Sequence, residues 1–271
     1  MTTFAVLSEF GPSSRSIMIN GLEALHRASR MDADTVYPQF FRLGQDQDRR
    51  ALSDLLARDP SLTVCDAIEA QLTELVKSMD PSVKWDAATA GAAVSQHVGI
   101  MPLDEYGVWV YYLWSHRLVH MLDEKEFALV RTDRNRNKIT RDEQAALATK
   151  RVGVVGLSVG QSVALCMTLE RSFGEIRLAD FDCLDLSNLN RIRSGVHSLG
   201  SNKTVAVARE IAEIDPFLKV TCFTQGITTA NIDAFFGEGG RLDVLIEECD
   251  SVEMKILTRQ KARELHVPVV M

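Results

Sequence analysis

The feature that most constrains the fold is a regular alternation of short apolar runs and helical patterns in the second half of the chain. RVGVVG, Arg151–Gly156, reads as a strand, and its valines indicate burial on both faces. Four more strands are predicted downstream, at Glu175–Asp180, Lys219–Phe223, Val244–Cys249 and Val267–Met271. Helical patterns lie between them, at Ser158–Arg171, from near Ser201, and at Ser251–Leu265. This alternation predicts an α/β fold with a doubly wound, mainly parallel, Rossmann-like sheet and helices on both faces.

The first half of the chain is predicted to be an accessory region of mixed α/β structure. Gln47–Arg58 and Ser61–Met79 read as amphipathic helices, and Val36–Leu43 and Tyr106–Trp114 read as strands. The second of these strands is the most aromatic stretch of the sequence. It shows no catalytic pattern, and we expect its rings to lie in a core or an interface; the alternative is a platform for a ligand.

The predicted boundary between the two parts gives an accessory domain at residues 1–130 and the doubly wound domain at residues 131–271. The sequence ends inside the last predicted strand, and a sheet whose final strand lacks its return helix is unusual. We therefore expect the sequence to be a fragment of a longer protein. The alternative is an edge strand that a dimer partner completes.

Composition narrows the class of protein. The net charge of -7 and the pI near 5.4 make nucleic acid an unlikely partner. No apolar run reaches the roughly 18 residues of a membrane span, and the amino end lacks the pattern of a signal peptide. The five cysteines are odd in number and form no CxxC pair. We expect a reducing, cytoplasmic location, because a disulfide framework would need paired cysteines.

A glycine-rich turn, GLSVGQS, follows the first strand of the second half. Against the G-x-G-x-x-G template, Gly156 matches, Ser158 and Gln161 stand at the second and third glycines, and Gly160 is an extra glycine. Such a turn lets backbone N–H groups approach a phosphate at a helix N-terminus. The alternative is a plain tight turn in which Ser158 caps the helix.

Asp180 stands 24 residues after Gly156, at the end of the second strand of this half. Rossmann-type folds place an acid there to accept hydrogen bonds from ribose hydroxyls. The alternative is an aspartate in a strand-end turn, and a ribose acid does not separate ATP from a nicotinamide cofactor. Three polar neighbours, Asp182, Asp185 and Asn190, are left without a role beyond turn and capping duties.

The segment after this aspartate favours a triphosphate. It reads DFDCLDLSNLNR and places the neutral donor Asn188 three residues before Arg191; the later GSNK places Lys203 at the start of a helix. Fixed cations at such positions offset the charge of a triphosphate. The alternative is that these residues, with Arg193, are surface cations of an acidic protein.

Asp250 lies in EECDS, at the end of the strand predicted at Val244–Cys249. Ligands of open α/β sheets bind outside the carboxyl ends of the strands, so Asp250 is expected on the same rim as Gly156 and Asp180. A carboxylate near a triphosphate is a suitable ligand for Mg²⁺. The alternative is that Asp250 or Ser251 caps the next helix.

Together these motifs resemble the ThiF/MoeB family, the relatives of ubiquitin-activating enzymes. The resemblance covers residues 151–271 and depends on VGVVGLSVGQS, ADFDCLDLSNLNR, GSNK and ECDS. It implies a Rossmann-like adenylation domain that binds ATP and Mg²⁺ and adenylates a carboxylate. In this family the carboxylate usually belongs to the C-terminal glycine of a small ubiquitin-like or sulfur-carrier protein. The family also implies a homodimer, and the long first half is absent from its minimal form.

The resemblance also implies roles for individual residues. Arg191, Lys203 and Asp250 would act in catalysis. The nucleotide loop would contain Gly156, Ser158 and Gly160, and Asp180 would bind the ribose. The phosphates would be bound by Asn188, Arg191 and Lys203, and Mg²⁺ by Asp250. Family members carry an arginine ahead of the first strand that reaches the partner's ATP site, and here Arg134 and Arg136 are both candidates.

Three functions are compatible with these residues. Adenylation needs positioned charges and no side-chain nucleophile, which agrees with the lack of a Ser/His or Cys/His pattern in this segment. There are two alternatives: an NAD(P)- or FAD-linked oxidoreductase on the same fold, and a non-catalytic family member that acts as a partner subunit. The sequence leaves the acceptor open among a sulfur carrier, a ubiquitin-like protein, a peptide carboxylate and a modified tRNA base.

Overall fold

Two β-sheets, one after the other along the chain, organise the fold. The computed structural model describes residues 35–271, so the first 34 residues of the predicted accessory region lie outside the described residues. Residues 36–271 form one compact unit that contains both sheets. The predicted domain boundary near residue 130 stays a prediction.

The first sheet has four strands in the order β1-β3-β4-β2. Its antiparallel pairs are β1 with β3 and β3 with β4, whereas β2 runs parallel to β4. The strands are β1 Gln39–Phe41, β2 Thr63–Asp66, β3 Val108–Tyr112 and β4 Arg117–Met121. The helices of this part are α1 Asp46–Arg58, α2 Ile68–Met79, α3 Ala87–Val98 and α4 Glu124–Arg131.

The structure corrects one element predicted in this half. The helix predicted at Ser61–Met79 begins only at Ile68, because Thr63–Asp66 forms the edge strand β2. All four residues of β2 are exposed, so the segment lacks the alternation of buried apolar and exposed polar residues that indicates a strand. The other predicted elements, helix α1 and strands β1 and β3, are present with shorter strand bounds. The aromatic stretch lies in the core, as expected.

The second sheet has five parallel strands in the order β7-β6-β5-β8-β9 and confirms the predicted doubly wound fold. The strands are β5 Arg151–Val155, β6 Glu175–Ala179, β7 Lys219–Phe223, β8 Val244–Glu247 and β9 Val269–Val270. The helices are α5 Arg141–Leu147, α6 Gly160–Glu170, α7 Lys203–Ile214, α8 Ile232–Gly237 and α9 Val252–Glu264. The short helices α5 and α8 were not predicted.

Both faces of the second sheet are buried. On one face, strand residues such as Val154 and Leu178 pack against α6 and α7. On the other face, Leu245 packs against Phe235 of α8 and Ala262 of α9. Parallel sheets need this double cover, because their crossover helices return on both sides. Within residues 35–271, no helix combines the length and the apolar character needed to cross a membrane.

The two sheets share helix α7. Ala212, on this helix, is buried in the same apolar cluster as Val110 and Tyr112 of β3. The Nε1 of Trp114 donates to Oε1 of Glu213 at 2.7 Å, which adds a polar contact beside the cluster. The accessory region therefore packs directly on α7, a helix that covers the doubly wound sheet.

A buried arginine closes the end of α8. Arg177 on β6 is 1% exposed, and its guanidinium donates to the carbonyl oxygens of Phe235, Glu238 and Gly240 at 2.7, 2.5 and 2.7 Å. Its Nε also donates to Oε1 of Glu175 at 2.9 Å. These bonds satisfy carbonyls that a helix end leaves without a partner, which explains how a charge is tolerated in the core.

The shared core can be tested with Phe217, which follows α7 and packs its ring 5.5 Å from Phe40 and 5.4 Å from Phe127. Phe217→Ala should lower the free energy of unfolding by about 2–3 kcal/mol, because a packed ring is lost. Phe181→Ala is the control; its side chain is 71% exposed, and its effect should stay within about 0.5 kcal/mol. Urea unfolding followed by circular dichroism measures both. Two separate transitions, with only one shifted by Phe217→Ala, would contradict a shared core.

Candidate functional site

The nucleotide loop after β5 touches the loop after β8. The chain leaves β5 toward β6 on one side and returns to β8 on the other, so a crevice opens at the carboxyl ends between β5 and β8. Gly156 has φ +86°, and a Cβ there would lie 2.7 Å from the backbone of Glu248 and Cys249. Only glycine fits this close contact in this conformation. The glycine predicted for the loop therefore shapes the crevice itself.

Asp180 ties two loops together at this crevice. It is 8% exposed, and its Oδ2 accepts the backbone N–H of Leu157 at 2.7 Å. Its Oδ1 accepts the backbone N–H of Asp182 at 2.9 Å. A carboxylate oxygen has a second lone pair, so a ribose hydroxyl can still donate to it. The predicted ribose role stays a prediction, and the structure adds a second role in holding the loop.

Lys203 brings the loop and the β6 end together through its ammonium. The residue is 4% exposed and begins α7, as predicted. Its Nζ lies 2.7 Å from Oδ2 of Asp182, 3.3 Å from Oγ of Ser158 and 4.0 Å from Oδ1 of Asp180. A buried ammonium needs such acceptors, and the ion pair with Asp182 fixes the ammonium beneath the nucleotide loop.

Two expectations about small polar residues change with this geometry. Ser158 does not cap α6, because the capping position belongs to Val159 and the Ser158 hydroxyl accepts from Lys203. Asp182 does more than turn the chain, because it is the ion partner of Lys203. Asp185 has the capping duty expected of it, since it forms a capping box with Asn188.

Asn202 sets the position of Lys203 and was not predicted. Its Oδ1 caps α7 by accepting the N–H of Thr204 at 2.9 Å. Its Nδ2 donates to the carbonyl oxygens of Asp180 and Thr224, at 3.2 Å each. The ends of β6 and β7 are thus joined to the first residue of α7. Asparagine before a predicted helix is the typical N-cap signal, and it could have indicated this residue.

Asn188 and Arg191 lie in a short 3-10 turn that follows β6. The side-chain oxygen of Asn188 accepts the N–H of Asp185 at 3.0 Å. Arg191 is exposed, and its guanidinium bonds only to Oδ1 of Asn190, at 3.0 Å, among the residues described. No carboxylate in that part of the chain neutralises Arg191. An exposed cation without an acidic partner suits the predicted phosphate contact.

Asp250 is free to bind a cation. Ser251 caps α9 by accepting the N–H of Met254 at 3.3 Å, so the cap is Ser251 and not Asp250. The Asp250 carboxylate is exposed and has no polar partner within residues 35–271. The same part of the chain contains no cluster of three or more metal-binding side chains. One carboxylate together with substrate phosphates is nevertheless a common Mg²⁺ site, so Asp250 fits the predicted role.

A buried acid supports the loop that carries Asp250. Glu247 accepts from Nη2 of Arg259 at 2.7 Å and from the backbone N–H of Cys249 at 3.2 Å. Burial by itself raises the pKa of the Glu247 carboxyl, but these hydrogen bonds and the charges of Lys255 and Arg259 outweigh it and lower the pKa. Burial and Glu247 raise the pKa of the Cys249 thiol to about 11. Cys249 therefore stays a thiol at neutral pH and is a poor nucleophile.

Arg134 and Arg136 lie at the far end of α6 from the nucleotide loop. Between them, Asn135 donates from Nδ2 to the carbonyl oxygen of Glu170 at 3.0 Å. Helix α6 runs from Gly160 to this residue, and at 1.5 Å per residue its length is about 15 Å. Neither arginine is therefore brought to the nucleotide loop of its own chain.

The two arginines differ in their surroundings. Arg136 places Nη1 2.9 Å from Oδ1 of Asp133. Arg134 is exposed and makes no polar contact with any other described residue. The structure therefore favours Arg134 as the arginine that is free to contact another molecule.

The Glu247 contacts generate a test of stability against pH. Glu247→Gln should lower the free energy of unfolding at pH 7 by about 2 kcal/mol, because charge-assisted hydrogen bonds are lost. The folded pKa lies below the ordinary value of 4.5, so this stabilisation is complete above pH 4.5 and disappears as the pH falls through the folded pKa. Glu264→Gln, on the exposed side of α9, should have almost no effect. Urea titrations at several pH values measure this, and a difference that persists at pH 2 would contradict it.

Comparisons with known proteins identify the family. The model of the ThiF family matches residues 132–271. The uncharacterized protein MT1398 of Mycobacterium tuberculosis is 41% identical over 229 residues, which cover 83% of this chain and 29% of that protein. Ubiquitin-like modifier-activating enzyme 5 of Arabidopsis thaliana is 30% identical over 127 residues, which cover 42% of this chain and 30% of the relative.

Among solved structures, the tRNA N6-threonylcarbamoyladenosine dehydratase TcdA of E. coli is similar with a TM-score of 0.48 and 25% identity, over 52% of this chain and 58% of that chain. The chain spans about a third of the length of the curated relatives it matches. The similarity to MT1398 is longer than the family match and so extends into the accessory region. The resemblance indicated by the motifs is confirmed, because the family match covers just over half of the chain. The chain belongs to the ThiF family.

Proposed function

We propose that this chain holds the nucleotide site of an ATP- and Mg²⁺-dependent adenylyltransferase that activates a carboxylate. The observation that carries the proposal is the ammonium of Lys203, which is held beneath the nucleotide loop and faces the carboxyl edge of the sheet. Arg191 adds a second cation, and unlike Lys203 it has no acidic partner among the described residues. Two cations beside a glycine turn and a helix N-terminus suit a triphosphate better than the diphosphate of a nicotinamide cofactor.

The chemistry of adenylation fits these residues. A carboxylate oxygen forms a bond to the α-phosphorus of ATP, and the bond to the leaving pyrophosphate breaks. Lys203 and Arg191 would offset the negative charge on the phosphates, so that the carboxylate can approach. Mg²⁺, held by Asp250 and the phosphates, would supply further charge. No thiolate is required, in keeping with the raised pKa of the Cys249 thiol.

We further propose that the acceptor is the C-terminal glycine of a small ubiquitin-like or sulfur-carrier protein. The support is the similarity to ubiquitin-like modifier-activating enzyme 5, whose name refers to a ubiquitin-like modifier.

Asp250→Asn should lower ATP–pyrophosphate exchange by about 100-fold, because a carboxylate that holds the charge-stabilising metal is lost. Asp142→Asn, an exposed carboxylate on α5, is the matched control and should change exchange by less than about twofold. Exchange is measured with a panel of ubiquitin-like and sulfur-carrier proteins, each with and without its C-terminal glycine.

Each part of the proposal has an outcome that contradicts it. Exchange unaffected by Asp250→Asn contradicts the metal role. Exchange with acceptors that lack the glycine contradicts the acceptor. Thermal stabilisation by NADH or NADPH, and not by ATP with Mg²⁺, contradicts ATP use and favours an oxidoreductase.

A homodimer in which Arg134 serves the partner's nucleotide site completes the proposal. Its support is the position of Arg134 at the far end of α6 from its own loop. A mixture of Arg134→Ala and Asp250→Asn subunits should regain about a quarter of the wild-type exchange. In a mixed dimer the site with an intact Asp250 receives the intact arginine of the other subunit, and half of the random dimers are mixed.

The same mixture excludes the opposite arrangement. If the arginine served its own chain, every site in the mixture would lack one of the two residues, and exchange would stay at the level of the single variants. Arg136→Ala in place of Arg134→Ala is the matched comparison. Sedimentation of the wild-type protein reports whether the dimer exists.

A further inference from the structure

A glutamine occupies the third glycine position of the nucleotide-loop template. The third glycine ordinarily lets the helix approach the sheet closely. Here Gly160 has that task, since a Cβ on it would lie 2.7 Å from Cγ1 of Val154 on β5. Successive residues of a helix are turned by about 100°, so the shift of the glycine by one residue turns position 161 away from the sheet. Gln161 is thereby free to carry a side chain toward α7.

The side chain of Gln161 bridges three separate segments. It is 2% exposed, and its Nε2 donates to the carbonyl oxygen of Arg193 at 2.7 Å and to Oε2 of Glu210 on α7 at 3.2 Å. Both partners are acceptors, which fixes the orientation of the amide. Its Oε1 is buried and has no partner within the part of the chain described. The NH₂ group alone therefore makes the polar contacts.

The contact with Arg193 fixes the backbone that carries Arg191. Between them, Ile192 is 3% exposed and anchors the segment from one side. The guanidinium of Arg191 is exposed and bonds only to its neighbour Asn190 among the described residues, so its direction follows from the backbone. The Arg193 side chain is 83% exposed, and its ion pair with Glu210, with Nε 3.6 Å from Oε1, is a weak anchor because water screens it. Gln161 supplies the second anchor.

We propose that Gln161 is a positioning residue that holds Arg191 toward the nucleotide phosphates. The inference rests on the proposed ATP site. A helix N-terminus and a cation bind one phosphate chain together only when their separation is fixed, and Gln161 lies on the first turn of the helix while it binds the arginine segment. The side chain thus links the two parts of the site.

A double-mutant cycle on ATP binding tests the proposal. Gln161→Met keeps the length of the side chain and removes both donors, and it should weaken ATP binding about tenfold. In an Arg191→Ala background the same change should weaken ATP binding by less than about twofold, because no guanidinium is left to position. Calorimetric titration of the full chain with Mg²⁺ and ATP gives the four dissociation constants. Glu210→Gln keeps an acceptor for the amide and is the matched control, expected within about twofold of wild type.

The outcomes separate the inference from the proposed function. An equal loss from Gln161→Met in both backgrounds would show that Gln161 acts through the shape of the loop, and would overturn the positioning role. A folded wild-type chain that binds no ATP would overturn the proposed function and the inference with it. If Gln161→Met does not fold, Gln161→Glu provides the same cycle with an isosteric side chain. The ATP affinity of Gln161→Glu should improve as the pH falls, because the protonated carboxyl regains a donor. An ATP affinity that does not change with pH would overturn the positioning role.

Discussion

The buried carboxylate of Asp180 fixes the geometry on which the rest of the site depends. Its two oxygens accept backbone N–H groups from the loop after β5 and from the segment after β6. Charged acceptors make stronger hydrogen bonds than neutral ones, so this pair holds the two loops in one arrangement. Asp182 is thereby placed beside Lys203, and the ammonium lies beneath the nucleotide loop. Loss of the carboxylate would remove the common anchor of both loops.

The parts of the site that sequence could predict are those encoded locally. Each strand of the second sheet is a short apolar run; Gly156, Asp180 and Asp250 follow such strands, and Lys203 begins a helix. The carboxyl edge of a parallel sheet then brings Gly156, Asp180, Lys203 and Asp250 to one rim. Contacts between distant segments carry no local signal. The Asp182 and Gln161 contacts are of this kind, because a turn aspartate and a helix glutamine have many ordinary uses.

The first half was harder to predict for a different reason. Strand β4 was missed because a polar residue occupies a core position: His120 is fully buried and breaks the apolar alternation. Its ring nitrogens lie 3.0 Å from Oδ1 of Asp66 and 2.7 Å from the carbonyl oxygen of Tyr106, so burial is compensated by polar partners from other elements. A pattern of hydrophobicity cannot indicate that compensation in advance.

The two ends of helix α7 contact different parts of the molecule. Its first residue, Lys203, lies under the nucleotide loop, and Ala212 and Glu213 near its other end contact the first sheet. If a ligand at the site restrains α7 and so slows the local opening of the first sheet, the coupling is reciprocal. A molecule that binds the first sheet through α7 must then change the affinity for that ligand by the same factor. Hydrogen exchange in one sheet would then report events at the other.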